Sequence, residues 1–347
     1  MIWVLLVIIG TVVFSLSAGN YIYKSRFKRS NYEKKSFVNN EAHVKDPIIM
    51  EPLLEKKQQW TLKKSVRNIE CVKIKGFVKK SIQWHKVPIL CGELWVTNSS
   101  FVVIIVHGFS DSSDGMGYLA EEYHKLNFIV LSINLRAHGQ SSGEYPGLGY
   151  LDKKDLNLWI DYLREKFGEN IKIIIHGISM GAGTVVQTLF SKKTWNEDGC
   201  KIIGAVADCG FSCFKDQISL QIQGSLGFSR IQKVIGNMIY LGCSFSCYFH
   251  AGFFIGKSFP TKVIENFNIE LNDKNQNANR PFLIIFQGTK DKLVFPENAD
   301  LLYLAAQKKA ITKNTIVKVN NAPHIGSYFY DPKKYMDTIT KELRKYN

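Results

Sequence analysis

The sequence predicts an α/β fold: a mostly parallel central sheet with helices on both faces and a helical cap insertion, preceded by one transmembrane helix. Three observations predict this fold. Continuous apolar runs of strand length alternate with amphipathic helical stretches, a serine between glycines follows one of these runs, and the first 23 residues carry no charged side chain. Strands that are apolar along their whole length are typical of parallel sheets, because helices cover both faces of such a sheet.

The composition supports a folded core and places most of the excess charge in one segment. Of the 347 residues, 45% are hydrophobic, which excludes a mainly disordered chain. The formal net charge is +15, of which +11 lies in residues 24–86. That segment contains no recognisable nucleic-acid-binding motif, and attraction to anionic lipid headgroups explains its charge. We therefore expect a membrane surface as its partner, and no nucleic acid.

The N-terminal segment is predicted to be an uncleaved, single-pass membrane anchor. As a helix, Met1–Tyr23 would be about 30–35 Å long, enough to cross the apolar core of a bilayer. A cleaved secretory signal is the alternative, but no lysine or arginine precedes the apolar run and the cleavage candidate near Ala18 is weak. By the positive-inside rule, the basic residues after the helix place the bulk of the protein in the cytoplasm. These basic residues are Lys24, Arg26, Lys28, Arg29, Lys34 and Lys35.

Beyond the anchor (1–23), we predict a basic tether or peripheral helix without chemistry (24–66) and one α/β domain (67–347). Segments 71–78 and 89–96 alternate like antiparallel strands at a sheet edge. Apolar strands are expected at 101–106, 128–133, 171–175, 202–207, 282–286 and 315–319. Helices are expected at 151–167, 181–190, 298–307 and 334–345.

Residues 212–270 interrupt this alternation. From Val234 to Gly256 the chain has no Asp, Glu, Lys or Arg, so a second membrane span is one interpretation. A single crossing here would put Ser179 and His324, the candidate nucleophile and base, on opposite sides of the membrane. We therefore favour a helical cap over the active site, whose apolar face contacts an acyl chain, the bilayer or simply the core.

Ser179 is the predicted nucleophile. Residues 177–181 are GISMG and match G-x-S-x-G, in which the serine sits at a sharp turn between a strand and a helix. The run 171–175 supplies the strand and 181–190 the helix. Glycine is needed beside the serine because strand and helix approach too closely there for side chains.

His324 and Asp291 are the predicted base and acid. A serine hydroxyl needs a base within hydrogen-bond reach, itself oriented by a carboxylate. With a G-x-S-x-G turn the chain order is serine, acid, histidine. His324 follows the last predicted strand and Asp291 the strand before it. Asp208 also ends a strand and is the alternative acid, although we favour a structural role for it.

The backbone N–H groups of Phe109 and Met180 are the predicted oxyanion donors, because fixed backbone dipoles need no reorganisation during the reaction. Met180 follows the nucleophile, and Phe109 lies in the loop after strand 101–106. The neighbouring His107 is expected to shape this loop rather than to act as a base.

Together, HG at 107–108, NLRAHGQS at 134–141, Ser179, Asp291 and His324 resemble α/β-hydrolases of the serine aminopeptidase/lysophospholipase-like group, most of all bacterial members with an N-terminal anchor. The resemblance covers about residues 67–345 and includes GISMGA at 177–182 and ADCGFS at 207–212. The usual D-x-R-G-H-G turn has Asn134 and Ala137 in place of Asp and Gly. The resemblance implies hydrolase activity but no particular substrate, because relatives include esterases, thioesterases, lipases and peptidases.

The sequence leaves three alternative functions. We favour a serine hydrolase that cleaves a carboxylic ester or thioester, with an acyl or lipid substrate. A peptidase would need a carboxylate for a free amino terminus, for which Glu144 or an acid in the cap is a candidate. A non-catalytic scaffold is disfavoured because all the expected catalytic parts are present.

No cofactor and no metal site is predicted. The seven cysteines show no disulfide framework, which fits a reducing compartment. Cys209 with Cys213 and Cys243 with Cys247 are spaced by four residues, but without C-x-x-C or His-x-x-x-His motifs we favour buried thiols over zinc ligands. The oligomeric state is left open.

Overall fold

The computed structural model describes residues 2–32, 46–64, 69–78, 86–196, 199–226, 229–269 and 280–346. The strands are β1 Glu70–Lys75, β2 Ile89–Trp95, β3 Phe101–Val106, β4 Ile129–Ile133, β5 Lys172–Ile178, β6 Trp195–Asn196, β7 Gly199–Cys200, β8 Gly204–Asp208, β9 Phe282–Gly288 and β10 Lys313–Val319. The helices are α1 Ile2–Phe27, α2 Arg29–Tyr32, α3 Pro47–Lys63, α4 Gly117–Lys125, α5 Asp152–Phe167, α6 Met180–Leu189, α7 Phe214–Leu226, α8 Arg230–Ala251, α9 Pro260–Asn266, α10 Glu297–Lys309, α11 Ser327–Tyr330 and α12 Pro332–Leu343.

Eight strands form one sheet in the order β1-β2-β4-β3-β5-β8-β9-β10. The pairs β1–β2 and β2–β4 are antiparallel, and the pairs from β4 to β10 are parallel. This sheet confirms the predicted fold class, including the antiparallel edge. The parallel strands end at one edge, where the loops that follow them can meet.

The sheet separates two apolar layers. Val102, Ile104 and Val106 of β3 face one layer, whereas Val103 and Ile105 face the other, because side chains alternate along a strand. Helices α5, α6 and α10, with α1 and the cap helices, cover the first face, and α3, α4, α11 and α12 cover the second. Covering both faces explains why the central strands are apolar throughout.

The segment predicted as a cap contains α7, α8 and α9. The uncharged run lies mainly in α8, which begins at a capping box between Ser229 and Gln232 and ends at Gly252 in the left-handed region, φ 82°. Helix α8 packs against α7 and against α1. Among the described residues, the one helix long and apolar enough to cross a membrane is α1, over Leu5–Phe27.

Two N-terminal boundaries differ from the prediction. Helix α1 continues past residue 23, and Phe27 is buried against the domain. The segment predicted as a tether or peripheral helix contains α3, which packs on the domain with Ile49, Leu53 and Trp60 buried. Their spacing of four and seven residues places them on one helical face, a signal present in the sequence. Lys34 and Lys35 lie outside the described residues.

Candidate active site

Ser179 lies on the turn between β5 and α6, with φ 54° and ψ −111°. Its N–H donates to the carbonyl oxygen of Asp208 at 2.8 Å, which fixes the turn against β8. A Cβ on Gly177 would lie 2.2 Å from the Gly181 oxygen, and one on Gly181 would lie 2.1 Å from the Val106 oxygen. Both glycines are therefore required by close backbone approach.

The structure brings Ser179, His324 and Asp291 into one hydrogen-bonded chain. Nε2 of His324 lies 2.9 Å from Oγ of Ser179, and Nδ1 lies 2.7 Å from Oδ2 of Asp291. The imidazole is 4% exposed and Asp291 is 2% exposed. This arrangement can move a proton from the serine hydroxyl to the imidazole while the carboxylate orients the ring.

Asp291 is held by donors from its own loop. Oδ1 accepts the N–H groups of Leu293 and Val294, both at 2.9 Å, and Oδ2 accepts Nε2 of Gln287 at 3.0 Å. The carboxylate therefore has fixed partners on both oxygens, with one lone pair left for His324. Sequence reasoning missed Gln287, which lies in β9 four residues before the aspartate.

Asp208, the alternative acid, has other partners. Its oxygens accept hydrogen bonds from Ser327 Oγ at 2.6 Å and from Tyr335 OH at 3.1 Å. Burial raises the pKa of its carboxyl to about 6. Asp208 thus ties the end of β8 to α11 and α12 instead of orienting the imidazole.

Two buried histidines shape the loop that carries Phe109. Nε2 of His107 accepts the N–H of Leu135 at 3.0 Å, and its Nδ1 lies 2.6 Å from the Gly108 oxygen. Nε2 of His138 accepts the N–H of Ser110 at 3.3 Å. Burial lowers the pKa of His107 to about 4 and lowers that of His138, so both rings are neutral at pH 7. The expected loop-shaping role of His107 agrees with these contacts, and His138 is a second such residue.

The predicted oxyanion donors both belong to segments beside the serine. A Cβ on Gly108 would be 3.4 Å from Cβ of Ser179, so the loop before Phe109 lies against the nucleophile. Met180 begins α6, where the first N–H groups have no acceptor within the helix. Both Phe109 and Met180 line the cavity above Ser179.

Hydrogen bonds and a buried ion pair hold the turn at 134–141, which contains the two unusual residues Asn134 and Ala137. The amide of Asn134 exchanges hydrogen bonds with Ser113, at 2.9 Å to the backbone N–H and 3.1 Å to Oγ. Ala137 adopts φ 63°, a left-handed conformation that glycine adopts more readily. Arg136 forms a buried bidentate pair with Asp155 of α5 at 2.8 Å, which anchors the turn to the sheet-covering helix.

A cavity of about 190 Å³ opens above Ser179 and His324. Its walls are mainly apolar and come from distant parts of the chain: Arg26 and Phe27 of α1, Leu53 of α3, Phe214 and Ile218 of α7, and Leu293 after β9. Sequence reasoning did not assign α1 or α3 to this site. Glu144 does not line this cavity; among the described lining residues the acidic side chain is that of Asp111.

One group of three side chains has metal-ligand chemistry. Ligand atoms of Cys209, Asp291 and His324 lie within 4.8 Å of one another. However, Asp291 and His324 already hydrogen-bond to each other, and burial raises the pKa of the Cys209 thiol well above its ordinary value. A protonated thiol is a poor zinc ligand, so these residues fit a proton-transfer site better than a metal site.

Solved structures share this fold. The esterase Pf2001 of Pyrococcus furiosus superposes with a TM-score of 0.57 at 19% identity, over 81% of this chain and 95% of the esterase. A membrane phospholipase A, described as a bacterial virulence factor, superposes with a TM-score of 0.52 at 9% identity, over 86% and 93%. The chain therefore has the α/β-hydrolase fold.

Two sequence comparisons match part of the domain. Residues 97–207 match the family described as serine aminopeptidase, S33. The uncharacterized protein YqkD of Bacillus subtilis (strain 168) is 33% identical over 122 residues, which are 35% of this chain and 38% of YqkD. The S33 match includes Ser179 but ends before Asp291 and His324.

Proposed function

We propose that this hydrolase is a membrane-anchored serine enzyme that cleaves a carboxylic ester or thioester of an acyl or lipid substrate. The observation that carries the proposal is the hydrogen-bonded chain of Ser179, His324 and Asp291 at the floor of an apolar cavity. The esterase and the phospholipase that share this fold support a hydrolase function in general and do not indicate the substrate.

The chemistry proceeds in two halves. Oγ of Ser179 attacks the carbonyl carbon as Nε2 of His324 takes its proton, and the backbone N–H groups of Phe109 and Met180 stabilise the oxyanion. The bond to the alcohol or thiol then breaks, and the imidazolium protonates the leaving group. Water, deprotonated by His324, attacks the acyl-serine, and the serine regains its proton as the acid leaves.

A fluorophosphonate probe tests the nucleophile in the full-length protein in detergent. We expect the wild type to be labelled and Ser179→Ala to be unlabelled. Ser30→Ala, on an exposed position of α2, is the control and should label like the wild type. Equal labelling of Ser179→Ala contradicts the proposal.

A serine peptidase with the same three residues is the second candidate, and Asp111 is the observation in its favour. Its half-buried carboxyl lines the cavity, where it could pair with a free amino terminus. However, burial raises its pKa to about 6 and its Oδ1 accepts the Ser112 N–H at 2.8 Å. Aryl esters compared with aminoacyl anilides decide between the two functions; faster anilide cleavage would select the peptidase.

Membrane anchoring rests on the free end of α1. Apolar side chains there are half-exposed or more, including Trp3 at 80% and Val7 at 68% exposed. A bilayer would remove this surface from water, and the basic residues after it favour a cytoplasmic domain. The protein should stay with membranes after an alkaline wash, and a tag after the last residue should resist protease in intact cells. Release by the wash or cleavage of the tag contradicts these assignments.

A further inference from the structure

The C-terminal half of α1 forms part of the active-site wall. Phe27 is 6% exposed, and its ring packs against Phe109 at 5.7 Å and Phe214 at 6.2 Å between centroids. Arg26 and Phe27 both line the cavity above Ser179. The same helix that is apolar enough to cross a bilayer therefore also lines the cavity above Ser179.

Helix α1 is fixed to the cap by close contact with α8. A Cβ on Gly19 would lie 2.2 Å from the backbone of Gly242, so the two helices touch through their main chains. Oγ of Ser246 donates to the side chain of Asn20 at 2.8 Å, and Sγ of Cys243 donates to the Gly19 oxygen at 3.3 Å. These contacts hold α1 beside the α7–α8 pair rather than leaving it as a loose tether.

A groove of about 280 Å³ runs between α1 and the α7–α8 pair; we call it the α1–α7 groove. It shares Arg26, Phe27, Ile218 and Gln221 with the active-site cavity, so the two spaces adjoin. Its far part is lined by Ile22, Ile222, Leu226 and Ile239. Along α7, from Ile218 to Leu226, the groove follows about 12 Å of helix.

We infer that the α1–α7 groove holds the long acyl chain of a membrane-resident ester, which reaches Ser179 by moving along α1 from the bilayer. This inference rests on the proposed function and names its substrate class. The far part of the groove is mainly apolar and has no charged side chain, although Ser25 and Ser225 also line it. Arg26 and the polar Gln221 lie where the groove meets the cavity. That order matches an acyl chain that ends in a polar ester group. Because the groove adjoins the cavity, an acyl chain that moves along α1 from the bilayer does not have to pass through water.

A matched pair of substitutions on α7 tests the groove. Ser225 and Leu220 are both exposed. Of these two described residues, Ser225 lines the α1–α7 groove and Leu220 does not. The full-length protein is assayed in detergent with p-nitrophenyl acetate and p-nitrophenyl palmitate. Ser225→Trp should lower the palmitate-to-acetate ratio of kcat/KM by about tenfold, because the indole fills the space of several methylenes. Leu220→Trp should change this ratio by less than about twofold.

The outcomes separate failure of the groove assignment from failure of the proposed function. An unchanged ratio in Ser225→Trp, or an equal fall in Leu220→Trp, overturns the groove assignment. A wild type that cleaves acetate but not palmitate also overturns it, while the serine-esterase proposal stands. Acetate hydrolysis that survives in Ser179→Ala instead defeats the proposed function itself. Because both substituted positions are exposed, neither variant buries new bulk in the core.

Discussion

Gly19 of α1 faces Gly242 of α8 with no room for a side chain between them: a Cβ on Gly19 would lie 2.2 Å from the Gly242 carbonyl carbon. Main-chain contact of this kind is possible only where both residues are small. The contact joins the apolar N-terminal helix to the cap, and through Phe27 it joins both to the active-site cavity. A version of the protein that lacks α1 would therefore lose part of its substrate site.

Replacing Gly19 tests whether α1 must dock for activity. Gly19→Leu forces the helices apart and should cost about 1–3 kcal/mol of docking energy. We expect esterase kcat/KM to fall as Phe27 leaves the cavity wall. Gly10→Leu is the matched control, because a Cβ on Gly10 meets nothing within 4 Å. Equal activity of the two variants would show that docking of α1 is dispensable.

Replacing Asp291 and Asp208 by asparagine should lower kcat to different extents. Asp291→Asn keeps the shape but offers an N–H₂ or carbonyl group to His324, and kcat should fall about 10³- to 10⁴-fold. Asp208→Asn should lower kcat far less, because its oxygens bind Ser327 and Tyr335. Steady-state kinetics with an aryl ester measure both. A larger loss of kcat at Asp208 reverses the assignment of the acid.

The buried pair of Arg136 and Asp155 should matter for stability. Asp155→Ala leaves the guanidinium buried without its bidentate partner and should lower the free energy of unfolding by about 3–5 kcal/mol. Asp161 lies on the same helix but pairs with Lys201 at the surface, so Asp161→Ala should cost less than about 1 kcal/mol. Urea unfolding of the full-length variants in detergent gives both values. Similar losses for the two variants would contradict the buried-pair argument.

Asp152 should make stability fall as pH rises. Burial raises the pKa of its carboxyl to about 7 in the folded protein, whereas an unfolded aspartate titrates near pH ~3.9. Between these values the folded state keeps a proton that the unfolded state releases, so raising the pH favours unfolding. The unfolding free energy of the wild type, minus that of Asp152→Asn, should fall by a few kcal/mol from about pH 4 to about pH 7 and then level off. A flat or rising difference contradicts the raised pKa.

Much of the fold followed from local pattern. The apolar runs predicted β3, β4, β5, β8, β9 and β10 to within a few residues, because a strand covered on both faces must be apolar throughout. The alternating segments before them predicted the antiparallel edge. Helix α3 was predicted only as one of two alternatives, a tether or a peripheral helix, because its apolar residues are separated by charged and polar ones.

The sequence by itself predicted Ser179 as the nucleophile, His324 as the base and either Asp291 or the less favoured Asp208 as the acid, together with the order in which they follow the strands. It did so because the G-x-S-x-G turn and the strand ends are local features. Only the tertiary structure decided that Asp291, and not Asp208, lies at 2.7 Å from His324, since both aspartates follow parallel strands at the same sheet edge. It also decided that α1 and α3 contribute Phe27 and Leu53 to the cavity. Phe27 and Leu53 lie more than 50 positions before Phe109 and more than 120 positions before Ser179, and no local pattern encodes contacts over such separations.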